Sequence, residues 1–158
     1  MNQQIVELEE GWAQIDDGVI QRLHAFLDGS QFQKFDNKDY MTYFMLVYSM
    51  CTQKPPHNYS EHLYQRYVQT IEQTFEQKVL PKIEGASDTE MSSVVQEQWE
   101  SFRVFVRWMG NVFSYLDRFH TTRQGMPKLK EIGHNVFKDG IRSYVSEDIM
   151  SLLEDDGE

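Results

Sequence analysis

No second cysteine accompanies Cys51 among the 158 residues, so no disulfide can form within the chain. That excludes a small disulfide-stapled scaffold and fits a reducing compartment. Set among apolar residues, Cys51 reads as a buried, inert thiol rather than a nucleophile. The N-terminus, MNQQIVELEEGW, has neither a basic start nor an apolar run and does not read as a signal peptide. No apolar run approaches the roughly 18 residues of a membrane span. A cytoplasmic or nuclear location is expected. Positive charge is scarce, with a formal net charge of -10. This argues against nucleic acid and membrane surfaces as partners. There is no HExxH, no cysteine pair, no P-loop and no glycine-rich nucleotide fingerprint, so no cofactor is expected. Strand-like alternation and Asn-Gly hairpin turns are missing as well.

What remains is helical spacing. One domain spanning residues 1–158 is expected, long enough to bury about two thirds of the unfolded surface. Ile5, Leu8, Trp12, Ile15, Val19 and Leu23 step by three and four, and Gly29 closes this first helix. Asp36 is placed to cap a second helix, which Pro55 and Pro56 stop. Ser60 is placed to cap a third, carrying Leu63, Tyr67, Ile71, Phe75 and Val79, with Pro81 and Gly85 at its end. SDTE at residues 87–90 has the form of a capping box. It opens a fourth helix of about 30 residues, near 45 Å long, with Val95, Trp99, Phe102, Val106, Met109, Phe113 and Leu116 as a core seam. TRQGMP breaks it, and Pro127 suits the first position of a fifth helix. That helix carries Leu129, Ile132, Val136, Phe137, Ile141, Val145 and Ile149. Gly133 and Gly140 weaken it unless packing needs them small. Residues 154–158, EDDGE, read as a solvated tail. Five helices with short links predict an all-α, five-helix bundle. Between Arg118 and Arg142 six Lys or Arg face only Glu131 and Asp139, a locally basic strip on an acidic chain.

One segment carries more apolar surface than a bundle helix needs. YMTYFMLVYSMCTQKPPHNYS, residues 40–60, holds four tyrosines and three methionines. Tyr40, Phe44 and Tyr48 form one helical stripe, flanked by Met41 and Met45. Tyr43, Val47 and Met50 form a second, with Leu46 between. Either the helix is central and buried all round, or the Tyr40 stripe is a docking surface of the residue types enriched at interface cores.

Four blocks carry a family resemblance. YSMCTQKPPHNYSEHLYQRY resembles the segment joining the second and third helices at the N-terminus of cullins that work with Skp-type adaptors and F-box proteins. QWESFRVFVRWMGNVFSYLDRFH resembles the long fourth helix of that region, LKEIGHNVFKDGIRSYVSEDIMSLLE its fifth, and ELEEGW its opening. The likeness covers nearly the whole chain in order. It implies a single N-terminal cullin repeat, the non-catalytic end of a ubiquitin ligase scaffold. It implies an adaptor-docking site at Tyr40, Met41, Phe44 and Tyr48, completed by the end of the fourth helix and the fifth. His120 stands where many members carry a large aromatic. The RING-binding region of cullins has no counterpart in these residues, so no RING subunit is expected to bind them.

Two other readings stand beside this one. A cullin-repeat competitor would occupy adaptors without assembling a ligase. A di-iron bundle is suggested by Asp117 with His120 and Glu131 with His134, each pair spaced three apart. That chemistry also needs inward carboxylates on two further helices, and the first three helices offer none in an apolar setting.

Overall fold

The computed structural model describes residues 4–153, the side chain of Phe119 excepted. The tail expected to be solvated lies outside the described residues. The described residues are helical with no strand, as the spacing predicts. Leu8–Ile15, a π turn at Asp16–Ile20 and Gln21–Leu27 run on as α1. Gly29 ends it at φ 111°, a left-handed backbone that a Cβ disfavours. There Ser30 N–H donates to Ala25 O at 2.9 Å and Gly29 N–H to Phe26 O at 3.0 Å, satisfying two terminal carbonyls.

Helix α2 is Asn37–Thr52. Asp36 caps it as expected, its carboxylate accepting from Asp39 N–H at 2.7 Å. Helix α3 consists of Ser60–Thr74, a π turn at Phe75–Val79 and Leu80–Glu84. Two expectations fail here. Ser60 is the first helical residue rather than the cap, and its hydroxyl donates to Cys51 O at 3.5 Å. Pro81 does not itself end the helix, which runs on to Glu84 and stops at Gly85 as expected. The widened π turn lies directly before it, where the ring of an uninterrupted helix would collide with the carbonyl four residues back.

The expected capping box at residues 87–90 does not form. Ser87 Oγ meets Thr89 Oγ1 at 3.2 Å, and residues 88–90 make a turn. Helix α4 begins at Met91–Val112, breaks at Phe113 (φ -93°, ψ 13°), and resumes as Ser114–Leu116, a π turn at Asp117–Thr121 and Thr122–Gln124. Gly125, at φ 67°, stops it. Pro127 lies outside the next helix, α5, which is Leu129–Ile141. Its first N–H is satisfied from a distance, by Asp117 Oδ1 at 2.9 Å. The predicted fifth helix is shorter than its apolar spacing suggests. The chain turns after Ile141, Ser146 Oγ accepts from Ile149 N–H at 3.3 Å, and α6, Glu147–Met150, leads into a 3-10 turn at Ser151–Leu153. That turn folds back on α4 and buries Leu153. Bringing Leu153 into the core requires the bend.

Helix α4 is the axis on which the others pack. Val95, Phe102, Val106, Met109 and Leu116 are fully buried along it, with Leu23 of α1, Tyr67 and Ile71 of α3, and Phe137 and Ile141 of α5. Packing does need both α5 glycines small. A Cβ on Gly133 would sit 2.5 Å from Val106 Cγ2, and one on Gly140 would strike the Phe75 ring. The buried Tyr67 hydroxyl donates to Leu129 O at 2.9 Å, tying α3 to the start of α5. No helix of the described residues is long and apolar enough to cross a membrane.

Cys51 is 8% exposed, and burial pushes its thiol up to about 11. At pH 8 roughly one thiol in a thousand is then ionised, against about a quarter in an unfolded chain. Iodoacetamide should therefore alkylate the folded protein more than tenfold more slowly than the urea-unfolded protein. Equal rates would place Cys51 on the surface.

Candidate functional site

The two stripes of α2 have different fates. Val47 and Met50 are fully buried, and Tyr43 is half-buried with its ring filling the space over Gly18. On the other face Met41 is 47% exposed, Met45 45% and Tyr48 40%. The helix is thus not buried all round. Tyr40 and Phe44 are half-buried, their ring centroids 6.0 Å apart. Tyr40 leans on the Trp108 ring at 6.4 Å and donates its hydroxyl to Asn111 O at 3.3 Å. Trp108 also takes Phe32 and Phe35 from the loop before α2. Tyr40 therefore anchors the N-terminal end of the stripe to the body of the protein, although Met41 beside it stays exposed, and the C-terminal half is open.

The open half borders a shallow groove of about 370 Å³, lined by Phe44, Met45 and Tyr48 from α2 and by Tyr115 and Arg118 from the last turns of α4. Tyr48 and Tyr115 meet edge to face, centroids 5.0 Å apart at 86°. Burial, with Cys51 and Tyr48 nearby, raises the Tyr115 phenol, so it stays neutral at physiological pH. Arg118 is exposed and has no ion pair among the described residues. The groove thus offers an apolar floor, two phenol rings and one unpaired guanidinium. This chemistry suits an apolar anchor with a neighbouring acceptor.

The structure brings Phe44 and Tyr48 together in the groove and sets Tyr40 and Met41 along the same face of α2. His120 is not among the groove residues. It lies in the π turn of α4 with its ring 5.2 Å from that of Tyr64, and its Nε2 is buried with no hydrogen-bond partner. Tyr115 and Arg118 escape sequence reading because α4 is read there by its core seam, Phe113 and Leu116. The available signal is that they are three apart and off that seam. Among the described residues no three His, Cys, Asp or Glu side chains gather to hold a metal. Asp117 Oδ1 accepts from Leu129 N–H and the Thr121 hydroxyl, and His134 lies 5.3 Å from the Trp99 ring. Asp117 is thus committed to local hydrogen bonds rather than turned toward a shared centre with His134.

Comparison with known proteins places this sequence in a family. The model of the cullin alpha solenoid domain matches residues 12–156. Cullin-1 of Oryza sativa subsp. japonica is 34% identical over 157 residues, covering 97% of this chain and 21% of the relative. Cullin-2 of Arabidopsis thaliana is 33% identical over 132 residues, covering 84% and 18%. Putative cullin-like protein 1 of Arabidopsis thaliana is 30% identical over 153 residues, covering 97% and 21%. The chain spans about a fifth of the length of these relatives. No solved structure gives a significant match.

Proposed function

The chain belongs to the cullin family, and from that premise we propose that it is an adaptor-docking scaffold module of a cullin-RING ubiquitin ligase. It binds a Skp-type adaptor, with its F-box protein, through α2 and the end of α4 near α5. The module is non-catalytic and does not hold the RING subunit. One observation carries the reading: a helix whose inner stripe fills the core leaves Met41, Met45 and Tyr48 40–47% exposed, next to a groove closed by Tyr115. Met and Tyr are enriched at interface cores because they bury much area. A groove of about 370 Å³ has room for a large anchoring side chain of a partner.

The docking face supports a direct test. Excess of purified residues 1–158 should displace a full-length cullin from a Skp-type adaptor and slow substrate ubiquitination, since both would use one adaptor surface. Unchanged turnover at saturating chain, with adaptor still bound to the full-length cullin, would remove the assignment.

A further inference from the structure

A second groove, of about 510 Å³, lies between α3 and α5 and shares no residue with the one beside α2. Phe75 and Leu80 of α3 and Ile132 and Val136 of α5 line it, with exposed Pro127 beside them. Phe75 is buried, whereas Leu80, Ile132 and Val136 are only half-buried. Gly140 adds no side chain to fill the space, since a Cβ there would strike the Phe75 ring. The groove therefore leaves aliphatic surface in water, which favours a partner that covers it.

The charges around this floor are of one sign. Glu72, Glu76 and Asp139 line the groove, and no Lys or Arg does. Glu72 and Glu76 are exposed, four residues apart, and have no ion pair among the described residues. Like charges at that spacing repel. Asp139 has only exposed Arg142, at 3.5 Å. The lysines of the same two helices are turned elsewhere. Lys78 pairs with Asp28 at 2.9 Å and Lys82 donates to Leu27 O at 2.8 Å. Lys130 lies against Gly110, and Lys138 lies over the Trp99 ring at 5.5 Å. An apolar floor inside a charged rim is how interfaces are built, and the sign of the rim selects the partner. The net charge of -10 attracts the same kind of partner from a distance. The chain's own residues 154–158, EDDGE, have the wrong sign to fill the groove. We propose that this groove docks a basic segment of a partner protein. The segment lays an aliphatic side chain between α3 and α5 and sets flanking Lys or Arg against Glu72 and Glu76.

Fluorescence anisotropy with three labelled peptides tests this. One carries leucines flanked by lysines, one the same leucines flanked by glutamates, and one the lysines with serine in place of leucine. Only the lysine–leucine peptide should bind saturably, and more weakly as salt rises. Glu72→Lys with Glu76→Lys should weaken that binding roughly tenfold or more and let the glutamate–leucine peptide bind instead. Both side chains are exposed, so the melt should stay where it is. Ile132→Ser, which opens the floor, should weaken the lysine–leucine peptide without admitting the glutamate one. The charge-swapped variant should still bind a Skp-type adaptor, so failure here and failure of the α2 docking face are told apart. The proposal is overturned if the lysine–serine peptide binds as tightly, if the charge swap changes nothing, or if no peptide binds. Loss of binding in Tyr48→Ala would place the peptide beside α2 instead. A dimer in sedimentation velocity that the charge swap dissociates would give the groove to a second copy and remove the basic partner.

Discussion

Phe44→Ala is expected to weaken adaptor binding about 30-fold, the equivalent of about 2 kcal/mol for truncating an anchor in a desolvated interface. Its effect on the isolated fold should be small. Phe44 is half-buried beside Tyr40 and gives one side of its ring to the groove. Val47→Ala should do the reverse. Val47 is fully buried one turn along the inner stripe, so a cavity there costs on the order of 1 kcal/mol or more while the outer face is left whole. Titration calorimetry against a Skp-type adaptor and thermal melts on both variants separate the effects. A Phe44→Ala protein that melts as low as Val47→Ala yet binds normally once folded would assign the stripes the other way round.

A larger loss is expected at Phe102. Its ring is fully buried where three helices meet, with centroids 6.0 Å from Phe75, 5.6 Å from Phe105 and 5.7 Å from Phe137. Phe102→Ala removes the shared neighbour of α3 and α5 and should cost about 4 kcal/mol. For a chain of this length that corresponds to a drop of roughly 10 °C in Tm. Urea unfolding should show a lower midpoint at an unchanged slope. A shift no larger than that of Val47→Ala would mean that the aromatic junction is not central to the core.

Much of this architecture could be read from residue spacing, because one-sided burial along a helix leaves a period that survives in the sequence. The seam from Val95 to Leu116, the cap at Asp36 and the stops at Gly29 and Gly125 depend on neighbours within a turn or so, and all are present. Features decided by distant residues were not legible. Ser60 and Ser87 look like caps, yet their oxygens find Cys51 O and Thr89 Oγ1 instead. The first N–H of α5 is satisfied by Asp117, twelve residues earlier and on another helix. The apolar period from Leu129 to Ile149 is continuous in sequence, but burying Leu153 against α4 bends the chain out of the helix. Around the groove the outer stripe of α2 was visible as surplus hydrophobicity, while the opposite wall, Tyr115 and Arg118, was hidden by the stronger core signal beside it. His120 was singled out by family position alone, and the structure turns it toward Tyr64.

The break at Phe113 makes the two sides of the groove mechanically unequal. One jaw, α2, is a single 16-residue helix with an unbroken hydrogen-bond ladder and a buried inner stripe. The other is carried by Ser114–Leu116, three residues caught between that break and a π turn. A segment so short gains almost nothing from helix propagation. It is held by the burial of Leu116 and the edge contact of Tyr115 with Tyr48 rather than by the rest of α4. On the proposed docking, a partner slightly too wide or too narrow for the groove would be met by displacement of one jaw against a fixed reference. If the proposed partner docks here, its fit would be adjusted on the α4 side and its orientation set by α2.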